Sequence, residues 1–145
     1  MFLNEFRHNI DEKGRMTIPA PYRELLGGEA YISLSFDPCL TVWPAPAFLQ
    51  MRERIASMSL TDPMARLLRH MFFTKAARVE FDKAGRILLP QHLRVAVQLE
   101  SDAVVAGVGE TFEIWSPVKW APEDQKVMEA LAHPEQFEAF NLPLR

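Results

Sequence analysis

Two stretches of the sequence place a carboxylate, a glycine and a guanidinium at one spacing. The first is Asp11-Glu12-Lys13-Gly14-Arg15-Met16-Thr17-Ile18-Pro19; the second is Asp82-Lys83-Ala84-Gly85-Arg86-Ile87-Leu88-Leu89-Pro90, 71 residues later. Asp at the first position of a turn can accept hydrogen bonds from the turn's own amides. Gly at the fourth tolerates positive φ, as a type I turn with a following bulge demands. The arginine just past the turn has two possible uses. It can pair with the Asp across the hairpin mouth, which is a structural role. Alternatively, a hairpin tip holds it rigidly away from the body, and a planar donor fork suits phosphate and guanine edges. Its occurrence twice with the same flanks favours the second use. The candidate polyanion contacts are therefore Arg15 and Arg86, with Lys13, Lys83, Arg7 and Arg23 beside them. Asp11, Gly14, Asp82 and Gly85 shape the turns. The second copy has Ala84 in the place of Lys13, with its lysine displaced to Lys83, so the first copy is the stronger candidate.

Other chemistries are poorly served. His8, His70, His92, His133 and Cys39 lack the two-His or Cys–His spacing of a metal site. No G-x-S-x-G elbow and no Walker glycine loop occurs. Asp11 with Glu12, and Glu123 with Asp124, are adjacent acids of the kind that cap turns and helix starts. Cys39 follows Pro38 and reads as a turn or packing residue. No catalytic residue, metal, cofactor or small-molecule substrate is expected.

The arginines need elements to position them. Phe6 to Ile10 and Arg78 to Phe81 read as short strands ending in Asp, with return strands at Arg15 to Ile18 and Arg86 to Leu89. Met16 and Ile18 alternate with Arg15 and Thr17, which puts Arg15 on the face opposite the apolar pair. Ile87, Leu88 and Leu89 form an unbroken apolar run, which predicts burial on both faces. Pro19 and Pro90 end these strands, since proline cannot donate to a ladder. A short helix follows in each copy. Pro21, Tyr22, Leu25 and Leu26 build the first, stopped by Gly27-Gly28, and Gln91 to Gln98 is its counterpart. A second hairpin closes each unit. Tyr31 to Phe36 turns at Asp37-Pro38 into Leu40 to Trp43, and Ala103 to Val108 turns near Gly109 into Thr111 to Trp115. Thr41-Val42-Trp43 aligns with Glu113-Ile114-Trp115 at an offset of 72.

Helices lie between and after the copies. Phe48, Met51, Ile55 and Met58 recur at helical spacing within Ala47 to Met58. Asp62-Pro63 is a cap with a first-turn proline. Met64, Leu67, Leu68, Met71 and Phe72 then form a helical stripe that reads as core or subunit interface, not as a cofactor box. Pro122 to about Phe140 reads as one or two helices interrupted at Pro134, and the spacing of Val127, Met128 and Leu131 predicts packing. The organisation is a first repeat at 1–48, connecting helices at 49–76, a second repeat at 77–120 and a helical tail at 121–145. This predicts two repeated units, not one core.

The chain has 145 residues, of which 48% are hydrophobic and 24% charged. That is ordinary globular composition, too short for a barrel enzyme. No window approaches eighteen consecutive apolar residues, so no membrane span is expected. A single cysteine excludes an internal disulfide and fits a reducing compartment. The first residues, with Glu5 early and no apolar run, lack the marks of a signal peptide, so a cytoplasmic location is expected. A net charge of −3 speaks against a nucleic-acid binder until its distribution is read. Residues 1–23 hold four basic groups against three acidic, and residues 72–94 hold five against two. The repeat starts are thus net +4 and the remainder −7, which makes the molecule polarised.

At these residues the sequence resembles a known family. The Asp-x-x-Gly-Arg-x-x-(Ile/Leu)-Pro pattern and its helix look like the swapped-hairpin DNA-binding unit of AbrB-type regulators and antitoxins. Two such units, the second closed by Phe112-Glu113-Ile114-Trp115-Ser116-Pro117, are similar to the MraZ family of bacterial regulators. The resemblance implies a mainly β, α+β fold in which two AbrB-like swapped-hairpin units form a pseudo-twofold, double-psi-like β barrel with added helices. It also implies a sequence-specific transcription factor for the division and cell-wall gene cluster, binding direct promoter repeats in double-stranded DNA. A ring-shaped homo-oligomer and a nucleoid-associated location belong to the same expectation. Carried over, the matching positions are Asp11, Lys13, Gly14 and Arg15, and Asp82, Lys83, Gly85 and Arg86.

Two other function classes compete. A protein-interaction module or antitoxin-like scaffold, without direct sequence-specific DNA binding, would dock a partner on the Met-rich helices and the tail. A partner-neutralising tail is expected to be long and disordered, whereas this one keeps helical spacing. An enzyme needs a convergent acid, base or nucleophile set, and none is found.

Overall fold

Both repeats fold into the same series of elements, as their shared turns and prolines require. The computed structural model describes residues 1–143, so the last two residues of the tail segment 121–145 lie outside it. The first repeat comprises β1 (Glu5–Asn9), β2 (Arg15–Thr17), α1 (Ala20–Leu26), β3 (Glu29–Leu34) and β4 (Leu40–Pro44). Then come α2 (Ala45–Ala56) and α3 (Pro63–Phe73). The second repeat comprises β5 (Ala77–Glu80), β6 (Arg86–Leu88), α4 (Gln91–Ala96), β7 (Asp102–Gly107) and β8 (Phe112–Trp115). Helix α5 (Pro117–Leu131) and a 3-10 helix, Pro134–Phe140, end the chain's described part.

The repeats exchange strands. β1 pairs with β7 of the second repeat, and β5 pairs with β3 of the first. The six-stranded sheet therefore runs β1-β7-β8-β4-β3-β5, an order that reads the same from either end when the repeats are interchanged. β2 and β6 pair separately as a two-stranded ribbon. The turns join this ribbon to both edges of the sheet, through β1 to β2 and β5 to β6. Two facing pairs locate the pseudo-twofold axis. Met16 faces Ile87 in the ribbon, and Thr41 faces Glu113 between β4 and β8. Each pair joins the same position of the two repeats.

Strand exchange has a consequence for packing. Met16, Ile18 and Ile32 of the first repeat and Ile87, Leu89 and Ile114 of the second belong to one continuous cluster. The expectation of two units without a common core is thus corrected. Neither repeat can bury its apolar face alone, because its outer strand lies in the other's sheet. Each such side chain, fully buried, contributes roughly 1.5–3 kcal/mol. A smaller cluster joins Cys39, Val104, Ala106 and Trp115, so Cys39 is a packing residue. The predicted two-sided burial of the β6 run also fails. Ile87 and Leu89 are buried, but Leu88 is 54% exposed, because a two-stranded ribbon turns only one face to the core.

The helices differ in how they are held. Phe48 and Ile55 of α2 are buried, and the Phe48 ring stacks on Tyr31 at 4.5 Å. Asp62 caps α3 by accepting from the Met64 amide at 2.9 Å, with Pro63 in the first turn as expected. The α3 stripe is only partly intrachain packing: Phe72 meets Trp43 at 5.5 Å and Phe48 at 5.9 Å, but Met64, Leu67 and Met71 are exposed. Helix α5 starts at Pro117, earlier than expected, because Ser116 Oγ accepts from the Lys119 amide at 3.2 Å. The expected packing of Val127, Met128 and Leu131 is not observed; all three are exposed. The helix is anchored near its start, where Trp120 meets Trp115 at 5.3 Å and donates to Glu5 at 3.2 Å. No helix among the described residues is long and apolar enough to cross a membrane.

Candidate nucleic-acid interface

Each Asp organises its turn with both carboxylate oxygens. Asp11 Oδ1 accepts from the amides of Lys13 at 3.0 Å and Arg15 at 2.9 Å. The Asp11 carbonyl accepts from Gly14 N at 2.9 Å, and Asp11 N donates to the Arg15 carbonyl at 3.0 Å. Arg15 Nε then donates to Asp11 Oδ2 at 2.8 Å. The second turn repeats the pattern, with Asp82 Oδ1 accepting from Ala84 and Arg86 amides and Arg86 Nε donating to Asp82 Oδ2 at 2.9 Å. Gly14 and Gly85 have φ of 87° and 75°, a region that side chains with a Cβ rarely adopt. Backbone N–H donation from Arg15, ahead of the guanidinium, lowers the Asp11 pKa below the ordinary carboxylate value. Arg86 does the same for Asp82. Both carboxylates stay ionised, and both arginines are oriented through Nε. Among the described residues, neither terminal nitrogen of Arg15 has a hydrogen-bond partner.

The two turns form one face. Leu89 N donates to the Gly14 carbonyl at 2.9 Å, and Ile18 N donates to the Gly85 carbonyl at 3.2 Å. Arg86 Nη1 lies 3.8 Å from Asp11 Oδ2, an ion pair between repeats. In the ribbon, Arg15 faces Leu88 and Arg86 faces Thr17. These four residues share the outer side, opposite the buried Met16 and Ile87. Arg15 and Arg86 are diagonal neighbours, roughly 7–8 Å apart at the backbone. Lys13 and Lys83 are exposed in the turns themselves.

The helix arginines cross over between repeats. Arg23, from α1 of the first repeat, lies against Gly85 of the second. Arg94, from α4 of the second repeat, lies against Gly14 of the first. Arg94 is fixed there by donating Nε to the Leu89 carbonyl at 2.9 Å. A groove of about 380 Å³ beside the second turn is lined by Arg23, Asp82, Lys83 and Gly85. Arg94 is not among the residues that the turn motif singles out, yet it lies on this face. The repeat offers the signal for it, since Leu93-Arg94 aligns with Tyr22-Arg23. Arg7 is the one candidate that the structure sets apart. It is exposed on edge strand β1, four residues before Asp11, with Glu5 at 3.8 Å.

Elsewhere, burial raises the Cys39 thiol pKa far above its usual value, with the Glu113 charge adding to the effect. Burial likewise raises the Glu113 carboxyl, which accepts from Trp115 Nε1 at 3.0 Å. Among the described residues, no group of His, Cys, Asp and Glu could hold a metal ion.

Comparison with known proteins gives one consistent likeness. Residues 1–71 and 72–139 each match the family model described as MraZ protein, antitoxin-like. The chain is 46% identical over 123 residues to a protein of Thermomicrobium roseum named transcriptional regulator MraZ, covering 85% of this chain and 87% of that one. It is 41% identical over 132 residues to a protein of the same name from Desulfitobacterium hafniense, covering 91% and 92%. A third such protein, from Roseiflexus castenholzii, is 40% identical over 131 residues, covering 90% and 89%.

Proposed function

Since the chain belongs to the MraZ family, we propose that it is a transcriptional regulator that reads promoter DNA through the double-turn face. Its relatives carry the name of transcriptional regulators and not of enzymes. The observation that carries the reading is the fixed pair of guanidiniums. Arg15 and Arg86 are each oriented by an Asp through Nε, on one outer face, with lysines and crossed arginines around them.

The mechanism follows from the atoms. A guanidinium pinned at Nε presents its terminal nitrogens as a fork, suited to the O6 and N7 of guanine or to a phosphate. Lys13, Lys83, Arg23 and Arg94 neutralise phosphates on either side, and Arg7 adds a charge further along β1. Asp11 and Asp82 set orientation and are not contacts. One face offers few positive groups, so a single chain binds weakly. Several self-associated chains, set against successive direct repeats, bind far more tightly through linked contacts. The acidic remainder of the chain suppresses binding to arbitrary DNA. In this reading the target is the division and cell-wall cluster, including the regulator's own promoter. The protein acts in the cytoplasm, on the nucleoid.

A mobility-shift series with the gene's own upstream fragment, run across salt, tests this. Arg15→Ala abolishes retardation while sedimentation shows the oligomer intact. Each lost phosphate contact lowers the salt slope by about 0.9. Scrambled DNA of the same length competes poorly if the binding is specific. Unchanged retardation by Arg15→Ala overturns the site.

A further inference from the structure

We propose that the two turns do unlike work on DNA. Arg15 of the first turn reads a base edge, while the second turn and Arg23 seat a backbone phosphate. The face consequently binds its site in one orientation only. This rests on the proposed function and sharpens its site, assigning a direction that a face with true twofold symmetry would lack. Three breaks in the pseudo-twofold symmetry carry it.

The first break is at the arginines. Asp11 serves both repeats, and Asp82 serves one. Asp11 Oδ2 accepts from Arg15 Nε at 2.8 Å and also lies 3.8 Å from Arg86 Nη1. Among the described residues, Asp82 makes no reciprocal ion pair with Arg15. Arg15 therefore keeps both terminal nitrogens as a fork, the geometry that grips O6 and N7 of guanine together. Arg86 is held at Nε by Asp82 and at Nη1 by Asp11. It can offer the same fork only by giving up the second carboxylate, so a single-acceptor contact suits it better.

The second break is in the turns themselves. Their middle residues are Glu12-Lys13 in one and Lys83-Ala84 in the other. Asp11 to Arg15 holds two acidic and two basic groups, whereas Asp82 to Arg86 holds one acidic and two basic. The net charges are 0 and +1, so the second turn attracts a phosphate where Glu12 of the first repels one.

The third break lies beside the turns. Arg94, packed on the first turn, commits Nε to the Leu89 carbonyl at 2.9 Å. Arg23, its counterpart on the second turn, makes no side-chain hydrogen bond or ion pair among the described residues. It lines the groove of about 380 Å³ together with Lys83, which is likewise unpaired there. The acid of that groove, Asp82, is already paired with Arg86. A phosphate entering the groove meets two free cations. Phosphate contacts fix register and base contacts supply sequence information. The seated phosphate thus points the reading arginine in one direction along the duplex.

The full chain is tested on duplexes taken from the gene's own upstream fragment, with each base pair of the footprinted site replaced in turn. Arg15→Lys keeps the charge and loses the fork. It lowers affinity for the native site roughly 5–150-fold and flattens discrimination at one guanine. Replacing that guanine with 7-deazaguanine, which lacks the N7 acceptor, weakens wild type and not Arg15→Lys. Arg86→Lys lowers affinity for every duplex by one common factor and leaves the discrimination profile unchanged. Lys83→Ala and Arg23→Ala also leave the profile unchanged, while each lowers the salt slope by about 0.9. Inverting one footprinted site within the fragment weakens wild-type binding as much as scrambling that site does. Thermal melts check that each variant is folded, and the inverted and 7-deazaguanine duplexes test the wild-type chain without any substitution. The division of labour is overturned if Arg15→Lys keeps the wild-type profile, if Arg86→Lys loses a base in its place, or if the inverted site binds as well as the native one. These outcomes leave the regulator and its DNA face standing. Equal retardation of upstream and scrambled DNA by wild type overturns the proposed function itself.

Discussion

The guanidinium of Arg94 rests on the turn at Gly14, 80 residues away in the chain and in the other repeat. A Cβ on Gly14 would fall 2.7 Å from Arg94 Cζ. Arg23 stands in the same relation to Gly85. Each turn is thus completed by the partner repeat, and the two halves of the face cannot be assembled separately.

The crossover makes a first prediction. Arg94→Ala shifts the Gly14 amide resonance strongly and the Gly85 amide weakly; Arg23→Ala does the reverse. Two-dimensional amide spectra decide it, and a shift confined to each arginine's own repeat contradicts the placement. Either variant lowers the salt slope of DNA binding by about 0.9 if that arginine neutralises one phosphate.

Two glycines separate backbone strain from steric displacement. Gly14 and Gly27 both have positive φ, but only Gly14 has a neighbour where a Cβ would stand. Alanine at either position costs roughly 1–3 kcal/mol for the backbone conformation alone. Gly14→Ala also pushes Arg94 aside and weakens DNA binding more than Gly27→Ala does. Denaturant melts give the stability loss, and mobility shifts give the difference in binding.

On the axis, Met16 and Ile87 are fully buried against the shared core. Met16→Ala is expected to lose about 2–5 kcal/mol. Because the two face each other, the double variant with Ile87→Ala departs from additivity by roughly 0.5–3 kcal/mol. Urea denaturation of the two singles and the double measures it. The transition remains single, since one core serves both repeats.

Acid acts on the turns through Asp11 and Asp82. Their folded pKa values lie below the ordinary 3.8, chiefly through amide donation from Arg15 and Arg86. Their contribution is therefore complete above the unfolded carboxylate range and is lost as pH falls through the depressed values. Glu113 has the opposite sign, because burial raises its pKa and acid relieves its buried charge. Carboxyl carbon NMR should give midpoints below 3.8 for the two aspartates, and Asp11→Asn removes the first.

Cys39 is buried with a raised pKa, so it stays a thiol at neutral pH. A disulfide reagent modifies it at pH 8 only as fast as the protein unfolds, and denaturant restores ordinary reactivity. Rapid labelling of the native chain contradicts that burial.

Local chemistry along the chain accounts for the turns and their flanks. Asp-x-x-Gly-Arg specifies its turn because every hydrogen bond in it spans four residues or fewer. Alternation around Met16 told which way Arg15 faces, and the 71-residue offset told that the unit occurs twice. Tertiary structure alone decided the partners. β1 lies beside β7 and Arg94 on Gly14 because strands too short to bury an apolar face alone must share one. Periodicity states which residues are apolar, and not what covers them. Hence Leu88 is exposed where the run predicted burial, and Met64, Leu67 and Met71 of α3 and Val127, Met128 and Leu131 of α5 are left open to solvent.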